Sequence, residues 1–540
     1  MDDGNGREQT REELQLQLQQ YEHAIMRIRT RLNTMLPVSR LPFEVLADIF
    51  GYLALLCRAT SRPYAWVHVT HVCQTWRQVA IQCPTLWADL VLPGRPDCIY
   101  AAMKRAKAIP LTVTASEGIS SQEKILGSLK IVMRNIHRIR SLELTISWNT
   151  FASFSRDFAL SEAPLLQKLQ LSAPIGLSQI GRIPHVFNSC PDPPPLEHID
   201  LYRYCYPWPR LRDYTKLKHL RLGYDIHSRN SHEETVTMAG VLDTLEALHL
   251  LETLDIQNDL PAIDTTIIRT VTLPSLRQLA LSGPPLNCAA LLDHLIVPAT
   301  ACIAVTDIIW PTYTQFLHFL PAVVAKVVGA TTIGVPRAFK SLALRREGSS
   351  FEFRAWTAEQ PIEIAPDYLD RTTPKMWLDI PCHTLSLIHA CAQLSLAEAH
   401  TLWLSSAVAE IVDSASVIRI LSGMASVNAV RFVEWDANEV TSVLSSDRTE
   451  ILEAGNGTAG TYVLPCLHTI VLDEVKFNHC PGSGHLHTPR CVQILHAALC
   501  ARKSTGCEVK RLIVRNCEGV TESQIDSLKE VIDEVDWDGQ

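Results

Sequence analysis

The sequence predicts a multidomain chain: a small all-α helical unit, preceded by a heptad helix, and then an α/β solenoid. Three observations support this prediction. Apolar residues recur at heptad spacing near the N-terminus, two strongly apolar helical segments follow, and a short leucine-containing phrase recurs through the remainder. We place these parts at residues 1–36, 37–95 and 96–540. A chain of 540 residues exceeds one compact core, so several domains or an elongated array are expected.

The N-terminal segment has apolar residues at spacings that alternate between four and three, which places them on one side of a helix. They are Leu14, Leu18, Tyr21, Ile25, Ile28, Leu32 and Met35. Pro37 ends the pattern because proline interrupts a helix. Three heptads are about the minimum for a coiled coil. The helix therefore either forms a homodimer or packs against the next domain.

The next unit contains the segments "RLPFEVLADIF" and "HVCQTWRQVAIQCPTLW". Pro42 suits the first turn of a helix, and Glu44 complements the helix dipole there. Each segment has one apolar face at helical spacing, formed by Leu46, Ile49, Phe50 and Leu53 and by Val72, Trp76, Val79 and Ala80. A unit of roughly 60 residues buries two such faces poorly. It is therefore expected to dock on the remaining chain or on another protein.

The order of residues in this unit resembles the F-box family. The matching positions are Leu41, Pro42, Glu44, Leu46, Ile49, Phe50, Val72, Cys73, Trp76, Arg77, Ala80, Pro84, Leu86 and Trp87. The longer phrase ending in "CPTLW" is similar to a subset abundant in fungi, whose members often have a preceding helix. The spacer "YLALLCRATSRPYAWVHVTH" departs from the pattern, since it is longer than in most F-boxes.

The resemblance implies a substrate-recognition subunit of an SCF-type, cullin–RING ubiquitin ligase, whose F-box docks on a Skp-type adaptor. It implies a first contact surface of Leu41, Pro42, Leu46, Ile49 and Phe50. Val72, Trp76 and Leu86 would support the helices behind that surface, and Glu44, Cys73 and Trp87 complete the adaptor-binding set. The alternative is an F-box scaffold protein with no role in ubiquitin transfer.

From about residue 110 the phrase L-x-x-L-x-L recurs, and its last two apolar residues predict a short strand. Clear copies are "PLLQKLQL", "PPLEHIDL", "TKLKHLRL", "HLLETLDI", "LPSLRQLAL" and "LPCLHTIVL"; weaker ones are "RIRSLELTI", "AEAHTLWL" and "VKRLIV". Helix-length segments such as Glu233 to Leu248 separate the phrases, an arrangement typical of leucine-rich repeats. The expected array would present a concave face to a protein target.

Two features limit the repeat assignment. The intervals are irregular, and the asparagine or cysteine that usually follows the strand is mostly missing. The late copy "RLIVRNCEGVTESQIDSL" fits better and resembles the cysteine-containing subtype, with Cys517 in the interior. An α/β domain with scattered strands therefore remains the alternative to a solenoid.

Composition excludes several classes of function. A formal net charge of -8 provides no basic field for nucleic acid. The N-terminus lacks a signal-peptide core, and the apolar run from Phe316 to Val335 is broken by His318, Pro321 and Lys326. We therefore expect no membrane span. The 16 cysteines, without an export signal, indicate reduced thiols in the cytoplasm or nucleus.

No motif establishes an enzyme or a cofactor site. "GNGTAG" matches a dinucleotide-binding pattern by letter, but it precedes a strand-like segment where that site needs a helix. In "HCPGSGHLHTPRC", the candidates Cys480, His485, His487 and Cys491 fit no common zinc spacing. We expect no metal, no cofactor and no catalytic activity of the chain's own.

One aromatic run offers a candidate target surface. In "YRYCYPWPRLRDY" Tyr204, Tyr206 and Trp208 alternate with Arg203 nearby, and Pro207 and Pro209 favour an extended path. Tyrosine, tryptophan and arginine dominate interface hot spots. The alternative, which we favour, is that these rings fill space between neighbouring repeats.

Overall fold

The structure is a computed structural model. It describes residues 3–58, 60, 62–118, 122–155, 163–174, 181–182, 193–205, 208–224, 236–306, 308, 312–329, 332–335, 338–347, 350–365, 374–394, 396–409, 412, 414–446, 462–477 and 490–539. The chain forms two compact units, Met1–His198 and Ile199–Gln540.

The first unit begins with a helical region that contains α1 (Asp3–Thr34), α2 (Phe43–Arg58) and α3 (Gln74–Gln82). Short 3₁₀ helices lie at Pro37–Arg40, Ala65–His71 and Pro84–Trp87. An α/β region follows, with β1 (Asp89–Leu92), α4 (Pro96–Arg105), β2 (Leu111–Ser116), α5 (Gln122–Met133), β3 (Ile139–Thr145), α6 (Trp148–Ser155), β4 (Lys168–Ser172) and β5 (Gly181–Arg182).

Strands β1 to β4 pair in parallel and in chain order. Parallel neighbours need a crossover connection, and α4, α5 and α6 occupy the three connections. Alternate residues of β2 and β3, such as Val113 and Leu142, are fully buried, whereas Thr114 and Glu143 lie on the opposite, half-buried face. The alternation fixes the register of each pair.

The second unit begins within β6 (His198–Tyr202), which is followed by β7 (Tyr204–Cys205), α7 (Trp208–Leu211), β8 (His219–Gly223), α8 (Met238–Ala247), β9 (Thr253–Gln257), β10 (Val271–Thr272), β11 (Gln278–Ser282), α9 (Pro285–His294), β12 (Leu295–Pro298), β13 (Cys302–Val305) and α10 (Tyr313–Val328). It continues with β14 (Thr332–Ile333), β15 (Ser341–Glu347), β16 (Ser350–Trp356), β17 (Met376–Pro381), α11 (Thr384–Gln393), β18 (Thr401–Ser405), α12 (Ser406–Ala409), α13 (Ser414–Ser422), β19 (Ala429–Val433), α14 (Ala437–Ser445), β20 (Thr469–Asp473), α15 (Arg490–Ser504), β21 (Arg511–Arg515), α16 (Glu522–Lys529) and β22 (Glu534–Trp537).

A long sheet organises this unit. Strands β8, β9, β11, β13 and β17 pair in parallel, and so do β15, β18, β19, β20, β21 and β22. Between these two runs, β16 pairs antiparallel with both β15 and β17. The antiparallel strand was not expected from the repeated phrase. The sheet confirms an α/β region, while the leucine-rich solenoid stays a prediction.

All nine copies of the repeated phrase end in a strand, as predicted: β3, β4, β6, β8, β9, β11, β18, β20 and β21. The chain leaves several strands through a residue with positive φ, such as Asn258 (59°), Glu434 (60°) and Asn516 (50°). Cys517 is 2% exposed, in the interior as expected, and its thiol contacts the Leu472 carbonyl at 3.5 Å. The indole N–H of Trp435, which is also buried, donates a hydrogen bond to the Leu404 carbonyl at 3.1 Å.

Several segments differ from expectation. The helix expected within Glu233 to Leu248 is α8, which begins only at Met238. The apolar run around Pro321 forms α10, whose Lys326 is 1% exposed. Among the described residues, no helix combines the length and apolarity needed to cross a bilayer. The "GNGTAG" segment lies outside the described residues.

Candidate adaptor-binding surface

Helix α2 begins where the sequence places its start. The Leu46 amide donates to the Pro42 carbonyl at 3.2 Å, so Pro42 immediately precedes the helix and loses no hydrogen bond. Glu44 is exposed in the first turn, where its charge complements the helix dipole. The helix continues for 16 residues to Arg58.

One side of α2 is buried within the helical region. Leu46 and Phe50 are 2% and 1% exposed. The ring of Phe50 lies 5.2 Å from that of Trp76, centroid to centroid, which joins α2 to α3. Trp87 closes the unit, because its ring packs edge-on against Trp66 at 5.0 Å and its indole N–H donates to the Ala80 carbonyl at 2.8 Å.

A second side of α2, about 100° around the helix from the buried side, is also apolar, but it is exposed. Val45, Ile49, Tyr52 and Leu56 follow one another at steps of four, three and four, so they form a single stripe. They are 41%, 46%, 70% and 70% exposed. Leu41 and Phe43, at the start of the helix, are 37% and 40% exposed. We call these six residues the α2 stripe.

The structure divides the first contact surface expected from the sequence. Leu41, Pro42 and Ile49 are exposed, whereas Leu46 and Phe50 lie in the interior and cannot belong to the same surface. Successive helical residues are separated by about 100°, so Ile49 and Phe50 point in different directions. The assignment of Leu46 and Phe50 to the contact surface is therefore corrected.

Of the residues expected to support the helices behind that surface, some are buried and others are not. Leu86 and Trp87 are buried and Trp76 is half-buried, but Val72 is 58% exposed and does not support the helices from within. Cys73 has a local role instead: it caps α3, where its sulfur accepts a hydrogen bond from the Trp76 amide at 3.5 Å.

Sequence analysis missed five exposed apolar residues of α2, which are Phe43, Val45, Tyr52, Leu55 and Leu56. The available signal was the density of apolar residues in "FEVLADIFGYLALL". A helix with one buried face needs an apolar stripe on about a third of its circumference. The excess predicts a second apolar face, but it does not tell which face is inside.

The long spacer between the two helices is folded into the unit. Trp66 and Val69, in the 3₁₀ helix Ala65–His71, are 4% and 6% exposed. The Tyr64 hydroxyl accepts a hydrogen bond from the Val91 amide at 2.7 Å. Burial raises the pKa of this phenol, so it stays protonated. The departure from the usual F-box spacing thus adds core residues and a contact with β1.

Arg58, the last residue of α2, joins the helix to the strands of the same unit. Its guanidinium lies 3.6 Å from the carboxylates of both Asp89 and Glu143 and donates to the Thr114 hydroxyl at 3.2 Å. Burial alone would raise the pKa of Glu143, but the hydrogen bond and charge of Lys168, with the charge of Arg58, lower it. The ion pairs hold the end of α2 against β1 and β3.

The aromatic run expected to bind a target is interior. Tyr204, Trp208 and Arg203 are 1%, 3% and 4% exposed, and Tyr206 lies outside the described residues. The expected extended path is also wrong after Pro207, since Trp208–Leu211 is a helical turn. Trp208 donates to Asp259 at 3.2 Å. These three residues fill the core, as in the alternative given by the sequence.

The metal candidates Cys480, His485 and His487 lie outside the described residues, and Cys491 is 1% exposed in α15. Within the described ranges, no group of three or more His, Cys, Asp or Glu side chains is arranged to hold a metal ion.

Residues 38–93 match the model of the F-box-like family. The match begins in the 3₁₀ helix before α2 and ends just after β1, so it includes both faces of α2 and the folded spacer. The chain therefore contains an F-box-like domain, a domain of proteins that act through protein–protein interaction. No curated protein matches the chain.

Proposed function

We propose that this protein is the substrate-recognition subunit of a cullin–RING ubiquitin ligase. Its F-box-like domain would dock on a Skp-type adaptor through the α2 stripe, and the α/β region would bind the target protein. The observation that carries the proposal is the second apolar face of α2, which is exposed inside the region that matches the F-box-like family.

The chemistry of the stripe suits a permanent protein partner. Side chains such as Tyr52 and Leu56, each 70% exposed, add no stability to the isolated chain but release water when a partner covers them. Contiguous apolar patches of this kind mark interaction sites on soluble proteins. Because the buried Leu46 and Phe50 anchor α2 within the domain, the stripe is presented on a rigid helix.

In the proposed complex this chain supplies proximity and another enzyme supplies the chemistry. Holding target and ubiquitin-charged enzyme together converts a bimolecular encounter into an intramolecular one. The chain would contribute no nucleophile, base or cofactor, and it would act in the cytoplasm or the nucleus. The alternative is a scaffold that binds the adaptor or other proteins without promoting ubiquitin transfer.

We further propose that a second copy of the chain covers α1. Its heptad side chains, Leu14 to Met35, are between 48% and 72% exposed, so the structure does not pair the stripe with the following domain. The apolar a and d residues of a heptad helix are most simply buried against an identical helix in a coiled coil.

Reconstitution tests the main proposal. The full chain is mixed with a Skp-type adaptor, a cullin scaffold, a RING protein and the ubiquitin-charging enzymes, and captured partner proteins are analysed for ubiquitin. We expect adaptor binding and ubiquitin on a captured partner; Ile49→Asp should abolish both, whereas Asp48→Asn, next to it on α2, should retain them. No adaptor binding by the wild type overturns the proposal. Adaptor binding without ubiquitin transfer favours the scaffold.

A further inference from the structure

One face of the second unit's sheet has a row of residues in register. Trp403 of β18, Arg431 of β19, Val471 of β20 and Ile513 of β21 lie side by side. The row is apolar except for the arginine, and all four side chains are buried. With Arg511 at the edge of β21, these residues are named the floor.

Residues 357–365, "TAEQPIEIA", cover the floor. Ile362 is 6% exposed and packs in one cluster with Trp356, Trp403, Val471 and Ile513. Ile364 and Glu363 remain exposed on the outer side. We call this segment the plug.

Side chains of the floor hold the plug by donating hydrogen bonds to its backbone carbonyls. Trp403 donates to the Ile364 carbonyl at 3.1 Å. Arg431 donates to the carbonyls of Ile362, at 3.2 Å, and Glu363. Asp473 lies 2.5 Å from the same guanidinium and orients it. Arg511 pairs with the Glu363 carboxylate at 2.7 Å.

These contacts have the pattern of peptide recognition. The plug forms no strand pairing and no helix; it is a turn in which the Ile364 amide donates to the Pro361 carbonyl at 3.3 Å. Trp403 and Arg431 donate hydrogen bonds to its backbone, and the apolar cluster buries Ile362. Arg511 forms an ion pair with the adjacent carboxylate, that of Glu363. A pocket for one side chain and a charge for the next give sequence specificity.

We propose that the floor is the peptide-binding site of this protein and that the plug is its internal occupant. The external ligand is a turn-forming segment of a target protein with a proline, a branched aliphatic residue and an acidic residue in succession. This inference rests on the proposed function, since it names the target site of the same subunit. An attached occupant has an effective concentration on the order of millimolar, so the site is closed to weak ligands until the plug is displaced.

The test uses the full chain and a fluorescent peptide of sequence "TAEQPIEIA", with anisotropy as the readout. Ile362→Ser combined with Glu363→Gln releases the plug. We expect this double variant to bind the peptide at least tenfold more tightly than the wild type. Glu363→Gln alone, which removes the ion pair with Arg511 but leaves Ile362 in the apolar cluster, should give a smaller increase in affinity.

Two controls define the site. In the released variant, Arg511→Glu should weaken peptide binding at least tenfold, whereas Lys510→Glu, the preceding residue with the same change in charge, should not. A peptide with serine and lysine in place of the isoleucine and glutamate at the positions of Ile362 and Glu363 should not bind. Equal peptide affinity in the wild type, Glu363→Gln and the double variant overturns the inference.

Capture of the Skp-type adaptor by the same proteins separates this inference from the proposed function. Retained adaptor binding without peptide binding overturns only the inference. Failure of the wild type to bind the adaptor overturns the proposed function, whatever the peptide does.

Discussion

The rings of Phe50 and Trp76 lie 5.2 Å apart and join the two main helices of the F-box-like domain. Ile49, the residue before Phe50, points about 100° away from it around α2 and is 46% exposed. Two neighbouring apolar residues thus have separate roles, one in holding the domain together and one in the proposed contact with a partner.

The first prediction separates these roles. Phe50→Ala should lower the free energy of unfolding by about 3–5 kcal/mol, because it leaves a cavity against Trp76. Ile49→Ala should change stability by under about 1 kcal/mol, since the side chain is half-exposed, yet it should weaken adaptor binding. Chemical denaturation and adaptor titration measure the two effects. Equal loss of stability in both variants would contradict the assignment.

Leu41→Ala with Pro42→Ala should reduce adaptor binding while the α/β region stays folded. Both residues are exposed at the start of α2, so neither contributes to the core. Circular dichroism measures whether the variant stays folded, and co-purification with the adaptor measures its binding. Undiminished co-purification would remove these residues from the binding surface.

Trp208→Ala should lower the melting temperature by several degrees, because a tryptophan at 3% exposure is replaced by a void and its hydrogen bond to Asp259 is lost. Arg210→Ala, on the exposed side of the same helical turn, is the matched control and should have little effect. An unchanged melting temperature for Trp208→Ala would return this residue to the candidate target surface.

Lys326 gives a pH-dependent prediction. Burial lowers the pKa of its ammonium to about 8, although Asp293 opposes the shift, and the ammonium donates to the Leu295 carbonyl. Between pH 8 and the ordinary lysine pKa, the unfolded chain binds more protons than the folded one, so this group adds stability as pH rises.

Relative to Lys326→Met, the wild type should therefore gain stability as pH rises from 8 to 10, by at most about 1.4 kcal/mol per pH unit. Well below pH 8, where Lys326 is protonated in both states, the difference between the two proteins should be constant. Urea denaturation of both proteins at several pH values measures the difference, which cancels the titration of all other groups. A difference independent of pH across this range would disprove the shifted pKa.

Leu18→Glu with Ile25→Glu should shift the chain from dimer to monomer, because two carboxylates would lie in the proposed a/d seam. Gln19→Glu with Met26→Glu adds the same charge off the stripe and should leave the dimer intact. Sedimentation equilibrium distinguishes the two states. A monomeric wild type would disprove dimerisation through α1.

The sequence by itself determined the F-box motif and the strands that end the repeated phrase, because both depend on local spacing. Residues at helical or alternating spacing point to one side whatever surrounds them, so β3, β9 and β21 could be predicted from their own letters. The interior position of Cys517 was expected instead from the resemblance of its phrase to the cysteine-containing repeat subtype.

Only the tertiary structure decided which apolar residues face inward. In α2 both faces are apolar, so periodicity cannot tell Phe50 from Ile49; the partner ring of Trp76, 26 positions further along the chain, settles it. Trp208 is buried and hydrogen-bonds to Asp259, which is 51 positions away in the sequence. Residues 357–365 pack against Trp403, Arg431 and Ile513, which are also distant in the sequence. Burial depends on contacts between residues distant in sequence, and no local pattern contains them.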